Sequence, residues 1–179
     1  MTERALRPLT EEEYLALERE SPLRHELLGG LPYAMEGAGL DYNLIVTNLV
    51  ALLKPLARAK GCRVYSETVK LKLSEDTFYY PDVMVVCGPK AHPLYETAPC
   101  LVVEVLSPST EAQDRREKLA RYLRLPSLEG YLLLQSETRG GTLYRRTPEG
   151  FREEALGEVL HLPCLEGSVP VEAIYEGVA

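Results

Sequence analysis

A chain of 179 residues is long enough for one domain with a sizeable core, and 45 % hydrophobic against 26 % charged residues is the balance of a soluble globular protein. With 27 acidic and 20 basic side chains the net charge is −7, which argues against an overall electrostatic grip on nucleic acid but leaves room for a local basic patch. No apolar run approaches a membrane span, and the N-terminal "MTERALRPLTEEEYLALERE" has no apolar signal core, so a cytoplasmic protein without membrane contact is expected.

"PLTEEEYLALERE" predicts a first helix, with Thr10 as its cap and Glu13 as the capping-box partner. "RHELLGGLPYAMEG" sets two short apolar pieces around Gly29-Gly30, the pattern of a hairpin or tight turn. "DYNLIVTNLVALLKPLARAKG" is the clearest helix. Leu44, Ile45, Leu49, Leu52 and Leu56 follow helical spacing, Gly61 stops it, and Pro55 should bend or shorten it. Strands then dominate. "CRVYSETVKLKL" ends in an alternation of Val69, Leu71 and Leu73 with Lys70 and Lys72, "PDVMVVCG" is a short buried strand, and "CLVVEVL" is the next. "STEAQDRREKLARYLRL" reads as a helix. "GYLLLQ", "GTLYRR" and "FREEAL" read as a strand followed by a hairpin. No linker or repeat divides the chain, so the order predicts one α/β or α+β domain with a mixed sheet covered by helices.

Cys62, Cys87, Cys100 and Cys164 show no CxxC and no zinc-ligand spacing. Three of them lie in or beside apolar strand-like runs, so buried free thiols in a reducing cytosol are expected.

Within "PCLVVEVLSPST" a single carboxylate, Glu104, sits in an otherwise apolar strand. A lone buried charge is costly, so it should be paired, protonated or metal-bound. Asp82 stands 22 residues earlier, at the mouth of the preceding buried strand. With a side-chain period of two, Glu104 shares a face with Val102 and Leu106, and Asp82 with Met84 and Val86. If the strands are neighbours, the carboxylates meet on one face, where both cannot stay ionised without a cation. Magnesium suits such hard oxygen ligands. On the following helix, Ala112, Leu119 and Leu123 form the core-facing stripe, with Lys118, Tyr122 and Arg115 beside it. Lys118 either lays its stem on apolar surface towards the strand ends or pairs with Asp114 on a solvated face.

"YYPDVMVV", "APCLVVEVLSPSTEAQDRREKLARYL" and "EGYLLL", together with "RHELLGGLPYAM" and "NLIVTNLVALL" upstream, resemble the Uma-family proteins of the PD-(D/E)XK nuclease superfamily over residues 10–135. The resemblance implies a restriction-endonuclease-like mixed β-sheet flanked by helices. Here that is a single domain over 1–179 with its core at 40–135, an added N-terminal helix and hairpin, and a C-terminal hairpin. It maps Asp82 to the aspartate of the PD element and Glu104 to the acidic position of (D/E)XK. The implied metal ligands are Asp82, Glu104 and the Val105 carbonyl, holding Mg²⁺ or in its place Mn²⁺, with a metal-bound water attacking a DNA phosphodiester. Glu26 matches the family's upstream glutamate, as a group near the metal or as a structural ion pair. A homodimer would allow double-strand cleavage, by analogy with restriction enzymes.

The chain departs from the family pattern in three places. Leu106 stands where the lysine of (D/E)XK belongs, and the family's substitute on the next helix is Lys118. Asp41 and Tyr42 occupy the region of the family's histidine at the start of its first core helix, and Leu132 replaces the aromatic after "EGY".

His25, His92 and His161 are scattered and suit structural or surface roles, although His25 adjoins Glu26. Ser107-Pro108, or Thr110 with Gln113, makes a helix start rather than a nucleophile. Tyr79-Tyr80 suit packing at a strand end, with base stacking as the alternative. Arg139, Arg145, Arg146 and Arg152 cluster on the C-terminal hairpin, as a solvated face or, beside the acidic cleft, as a phosphate patch. The site predicts a metal-dependent endonuclease. The alternative is an inactive protein of the same fold that binds nucleic acid or another protein.

Overall fold

The computed structural model describes residues 7–106 and 111–179, with the backbone alone for 111–115. The helix starts proposed at Ser107-Pro108 and Thr110, and the side chains of Ala112, Gln113, Asp114 and Arg115, lie outside the described residues.

Helix α1 (Glu11–Glu20) opens on the expected capping box: the Glu13 amide donates to the Thr10 hydroxyl at 3.2 Å, and the Thr10 amide to the Glu13 carboxylate at 3.4 Å. β1 (His25–Leu28) and β2 (Leu31–Ala34) form the expected hairpin. Gly29 and Gly30 take φ of +59° and +81°, and a Cβ at Gly30 would lie 2.5 Å from the Cβ of Pro8. Helix α2 (Leu40–Ala59) buries Ile45, Val46, Leu49, Leu53 and Ala57, so Leu44, Leu52 and Leu56 flank the inward stripe rather than centre it. Pro55 does not shorten α2. It is exposed, as is Ala51, whose carbonyl loses its helical partner, so the missing bond faces water. Gly61, at φ +70°, ends the turn after α2 as expected.

The strand-rich middle comprises β3 (Arg63–Ser66), β4 (Lys70–Ser74), β5 (Thr77–Tyr79), β6 (Val83–Val86), β7 (Tyr95–Glu96) and β8 (Leu101–Leu106). Helix α3 (Glu111–Tyr122) follows, then β9 (Gly130–Gln135), β10 (Gly141–Thr147), β11 (Gly150–Ala155), β12 (Val159–Leu162), β13 (Gly167–Pro170) and α4 (Val171–Ile174). Six strands form a mixed sheet in the order β11-β10-β9-β8-β6-β3, in which β8 pairs antiparallel with β6 and parallel with β9. The sequence reading did not separate out a second sheet, β2-β1-β5-β4-β7, or the β12–β13 ribbon.

All six residues of β8 are buried, and their alternation divides the core. Leu101, Val103 and Val105 pack in a cluster with Ile45, Leu49 and Leu53 of α2. Val102 and Leu106 pack on the other face with Tyr122 of α3. The central strand is thus covered by α2 on one side and α3 on the other, and Glu104 belongs to the α3 side. This mixed α+β arrangement is a restriction-endonuclease-like fold.

The expected free thiols are corrected. Cys62 is joined to Cys87 and Cys100 to Cys164, and no free cysteine remains among the described residues. The partners are 25 and 64 residues apart, and only strand register brings them together. Cys62 precedes Arg63 and Cys87 follows Val86, the terminal pair of the β3–β6 ladder.

Candidate active site

Val83 pairs with Val103 and Met84 with Val102, so one step beyond the ladder sets Asp82 opposite Glu104. The neighbouring strands are antiparallel, and the two carboxylates occupy facing positions. Asp82 is 8 % exposed and Glu104 7 %. The Val105 amide donates to Asp82 Oδ2 at 2.7 Å, and the Tyr42 hydroxyl donates to Oδ1. The Tyr122 hydroxyl donates to Glu104 Oε1 at 2.7 Å. The two carboxyl groups also lie close enough to share a hydrogen bond.

That last contact requires a proton. Burial, augmented by the negative charge of Asp82, pushes the Glu104 carboxyl up to about 8 against the opposing pull of Lys118. Burial also raises Asp82, opposed by the hydrogen bonds from Tyr42 and Val105. At neutral pH Glu104 therefore keeps its proton. Tyr42 and Tyr122 are both raised, first by burial, and remain neutral donors.

Lys118 reaches this face from α3. Its Nζ donates to Glu26 Oε1 at 2.9 Å and stands 3.9 Å from Glu104 Oε1. It also lies 5.2 Å from the centre of the Tyr79 ring. With 13 % of its side chain exposed, Lys118 is not on a solvated helix face. Glu26 comes from β1 of the second sheet and forms an ion pair with Lys118 beside the carboxylates. The candidates Glu26, Asp82, Glu104 and Lys118 thus meet in one place.

Two groups at this place carry more weight than the sequence suggested. Tyr122, set beside the helical stripe by spacing, is fully buried, while Leu119 and Leu123 are only partly buried. The inward face of α3 is therefore rotated towards Tyr122, which lies one turn from Lys118. Tyr42 comes from the start of α2, forty residues before its partner, and no local spacing marks it.

The other candidates do not join the site. Arg145 binds Glu154 and the His161 carbonyl, Arg152 binds Glu154, and Arg146 binds the Leu125 and Leu128 carbonyls. These three arginines tie down the C-terminal hairpin rather than form a phosphate patch. His25 pairs with Glu18, and His92 stacks on Tyr95. Tyr80 is buried and donates to Glu18, while buried Tyr79 borders the site, packed against Lys118 and Tyr122.

The donors presented by Asp82 and Glu104 are hard oxygens, and a cation bound there would relieve the cost of ionising both. This set fits magnesium or manganese, and a soft-metal ligand is absent from it.

The family model described as "Putative restriction endonuclease", Uma2, matches residues 11–171. The uncharacterized protein slr1290 of Synechocystis sp. is 34 % identical over 177 residues, covering 96 % of this chain and 93 % of that protein. The uncharacterized protein sll1609 of the same organism is 31 % identical over 131 residues, or 70 % of this chain and 74 % of that one. Among solved structures, a nuclease of DUF820 from Anabaena variabilis, described as putative, superposes with a TM-score of 0.76 at 16 % identity, covering 96 % of this chain and all of that one.

Proposed function

The chain belongs to the Uma2 family, and from that premise we propose that it is a magnesium-dependent DNA endonuclease acting at Asp82 and Glu104. The observation that carries this reading is the buried, facing carboxyl pair with the Lys118 ammonium 3.9 Å from one of its oxygens. Asp82, Glu104 and the Val105 carbonyl would hold the metal. Bound there, magnesium supplies charge for the phosphate oxygens and lowers the pKa of water.

The chain's own groups do the rest. Tyr42 and the Val105 amide fix the Asp82 carboxylate, and Tyr122 fixes Glu104. Lys118 takes the role that position 106 cannot, because Leu106 is buried in the α3-side core. Its ammonium offsets charge on the phosphate and orients the attacking water, while Glu26 holds it in place. Two copies, each with one such site, would cut both strands of a duplex.

Supercoiled plasmid incubated with purified protein and Mg²⁺ or Mn²⁺ tests the reading. Nicked or linear product should form with wild type and stop with Glu104→Ala. Equal residual activity in the two would leave only a nuclease fold without catalysis, a module for binding.

A further inference from the structure

The strand register that sets Asp82 opposite Glu104 also determines the other end of the same sheet. Asp82 and Cys87 flank β6, and Cys100 precedes the antiparallel β8 that carries Glu104, so the two cysteines lie four to five residues, ~13–17 Å, along the strands from the carboxylates. Cys62 lies one step beyond the β3–β6 ladder, beside Cys87. Cys164 arrives from the turn between β12 and β13. Cys87 Sγ and Cys100 Sγ are 3.5 Å apart although they belong to different disulfides. The sulfurs of Cys87, Cys100 and Cys164 all lie within 4.8 Å of one another, and Cys62 is bonded to Cys87.

Two structural crosslinks have no reason to touch. Four sulfurs converging from four separate segments is the arrangement required by a tetrahedral ion with sulfur at about 2.3 Å, whose ligands sit about 3.8 Å apart. The surroundings match the charge of such a centre. Four thiolates around a divalent ion leave a dianion, and Cys62 lines a cavity of ≈ 300 Å³ together with Lys54, Arg58 and Lys90, and with Arg63, which is paired with Glu96. In a chain of net charge −7 this is a concentration of cations beside a sulfur cluster.

We propose that Cys62, Cys87, Cys100 and Cys164 form a tetrathiolate zinc site, occupied when the sulfurs are reduced and closed when they pair as two disulfides. Two molecules of a dithiol supply the four electrons and four protons that break both S–S bonds, and each becomes a cyclic disulfide. Zinc then displaces the four thiol protons and binds four thiolates. Loss of zinc with return of both disulfides gives up the same four electrons to an oxidant such as a small disulfide. The site is separate from the carboxylate pair in position and in ligand chemistry, since soft thiolates select zinc where carboxylates select magnesium.

The test uses the full chain reduced with dithiothreitol, desalted without oxygen and titrated with zinc. Reduced protein should take up about one zinc per chain more than disulfide-bonded protein. Cobalt in place of zinc should give the visible bands and thiolate charge-transfer absorption of a tetrahedral four-sulfur site. Cys100→Ser/Cys164→Ser should lose both signals, and Asp82→Asn/Glu104→Gln should keep them. Absence of zinc uptake by reduced wild type overturns the proposal, as does undiminished uptake by the folded double-serine chain. If that variant does not fold, the cobalt spectrum of the wild type decides: an octahedral oxygen-ligand spectrum overturns the proposal, and a tetrathiolate spectrum supports it.

Discussion

Tyr42 is the residue on which the state of Asp82 turns. Its hydroxyl is one of two neutral donors that oppose the effect of burial on that carboxylate, the other being the Val105 amide. A hydrogen bond to a charged group contributes roughly 1.5–3 kcal/mol, so losing one raises the Asp82 pKa and strengthens the pair's hold on a proton. Tyr42→Phe should therefore weaken magnesium binding by roughly 10–100-fold at neutral pH. It should also move the rising limb of the pH–rate profile to higher pH. Calorimetric titration with Mg²⁺ at several pH values measures the first effect, and plasmid cleavage over the same pH range the second. An unchanged affinity and profile would show that the Tyr42 contact does not tune Asp82.

At the scale of elements, α3 delivers two groups to Glu104 from successive turns, Lys118 and Tyr122. Lys118→Ala removes both a positive charge that repels a cation and the pull that favours ionised Glu104, and it leaves the ligand set of Asp82, Glu104 and Val105 in place. It should abolish plasmid cleavage and keep magnesium affinity within a few fold. Parallel loss of metal binding and of thermal stability would identify Lys118 as a structural partner of Glu26 instead. The sequence made part of this legible. The period-two pattern of β6 and β8 put both acidic residues on one face, and their adjacency then needed only the ladder. The face of α3 was less legible: hydrophobicity centred it on Ala112, Leu119 and Leu123. Tyr122 is buried because its phenol has a buried carboxylate to bind, and that partner lies on another element. Tyr42 and the four cysteines were illegible for the same reason. Their partners lie 40, 25 and 64 residues away, where only tertiary register connects them. β5, β7 and the β12–β13 ribbon are too short to show a period.

For the whole molecule, the proton on Glu104 couples stability to pH. Glu104 has a folded pKa near 8, above the ordinary glutamate value of 4.5 that it regains on unfolding. Between these values the folded chain retains a proton that the unfolded chain releases. Its contribution to stability is thus complete below about pH 4.5, declines as pH rises, and is gone above about pH 8. Without divalent metal, the melting temperature should fall across this window. Excess Mg²⁺ should flatten the fall, because a cation bound only by the folded state takes the proton's place and gains affinity as the carboxyl ionises. Glu104→Gln keeps an acceptor for Tyr122 but carries neither proton nor charge. That variant should lose this fall between pH 4.5 and 8 and respond little to Mg²⁺. At pH 8.5 it should exceed metal-free wild type in stability by roughly 2–4 kcal/mol, as a multi-unit pKa difference implies. Urea denaturation of both chains at pH 5, 7 and 8.5, with and without Mg²⁺, measures each of these. A wild-type stability that tracks Glu104→Gln at every pH would mean that Glu104 does not keep its proton in the folded chain.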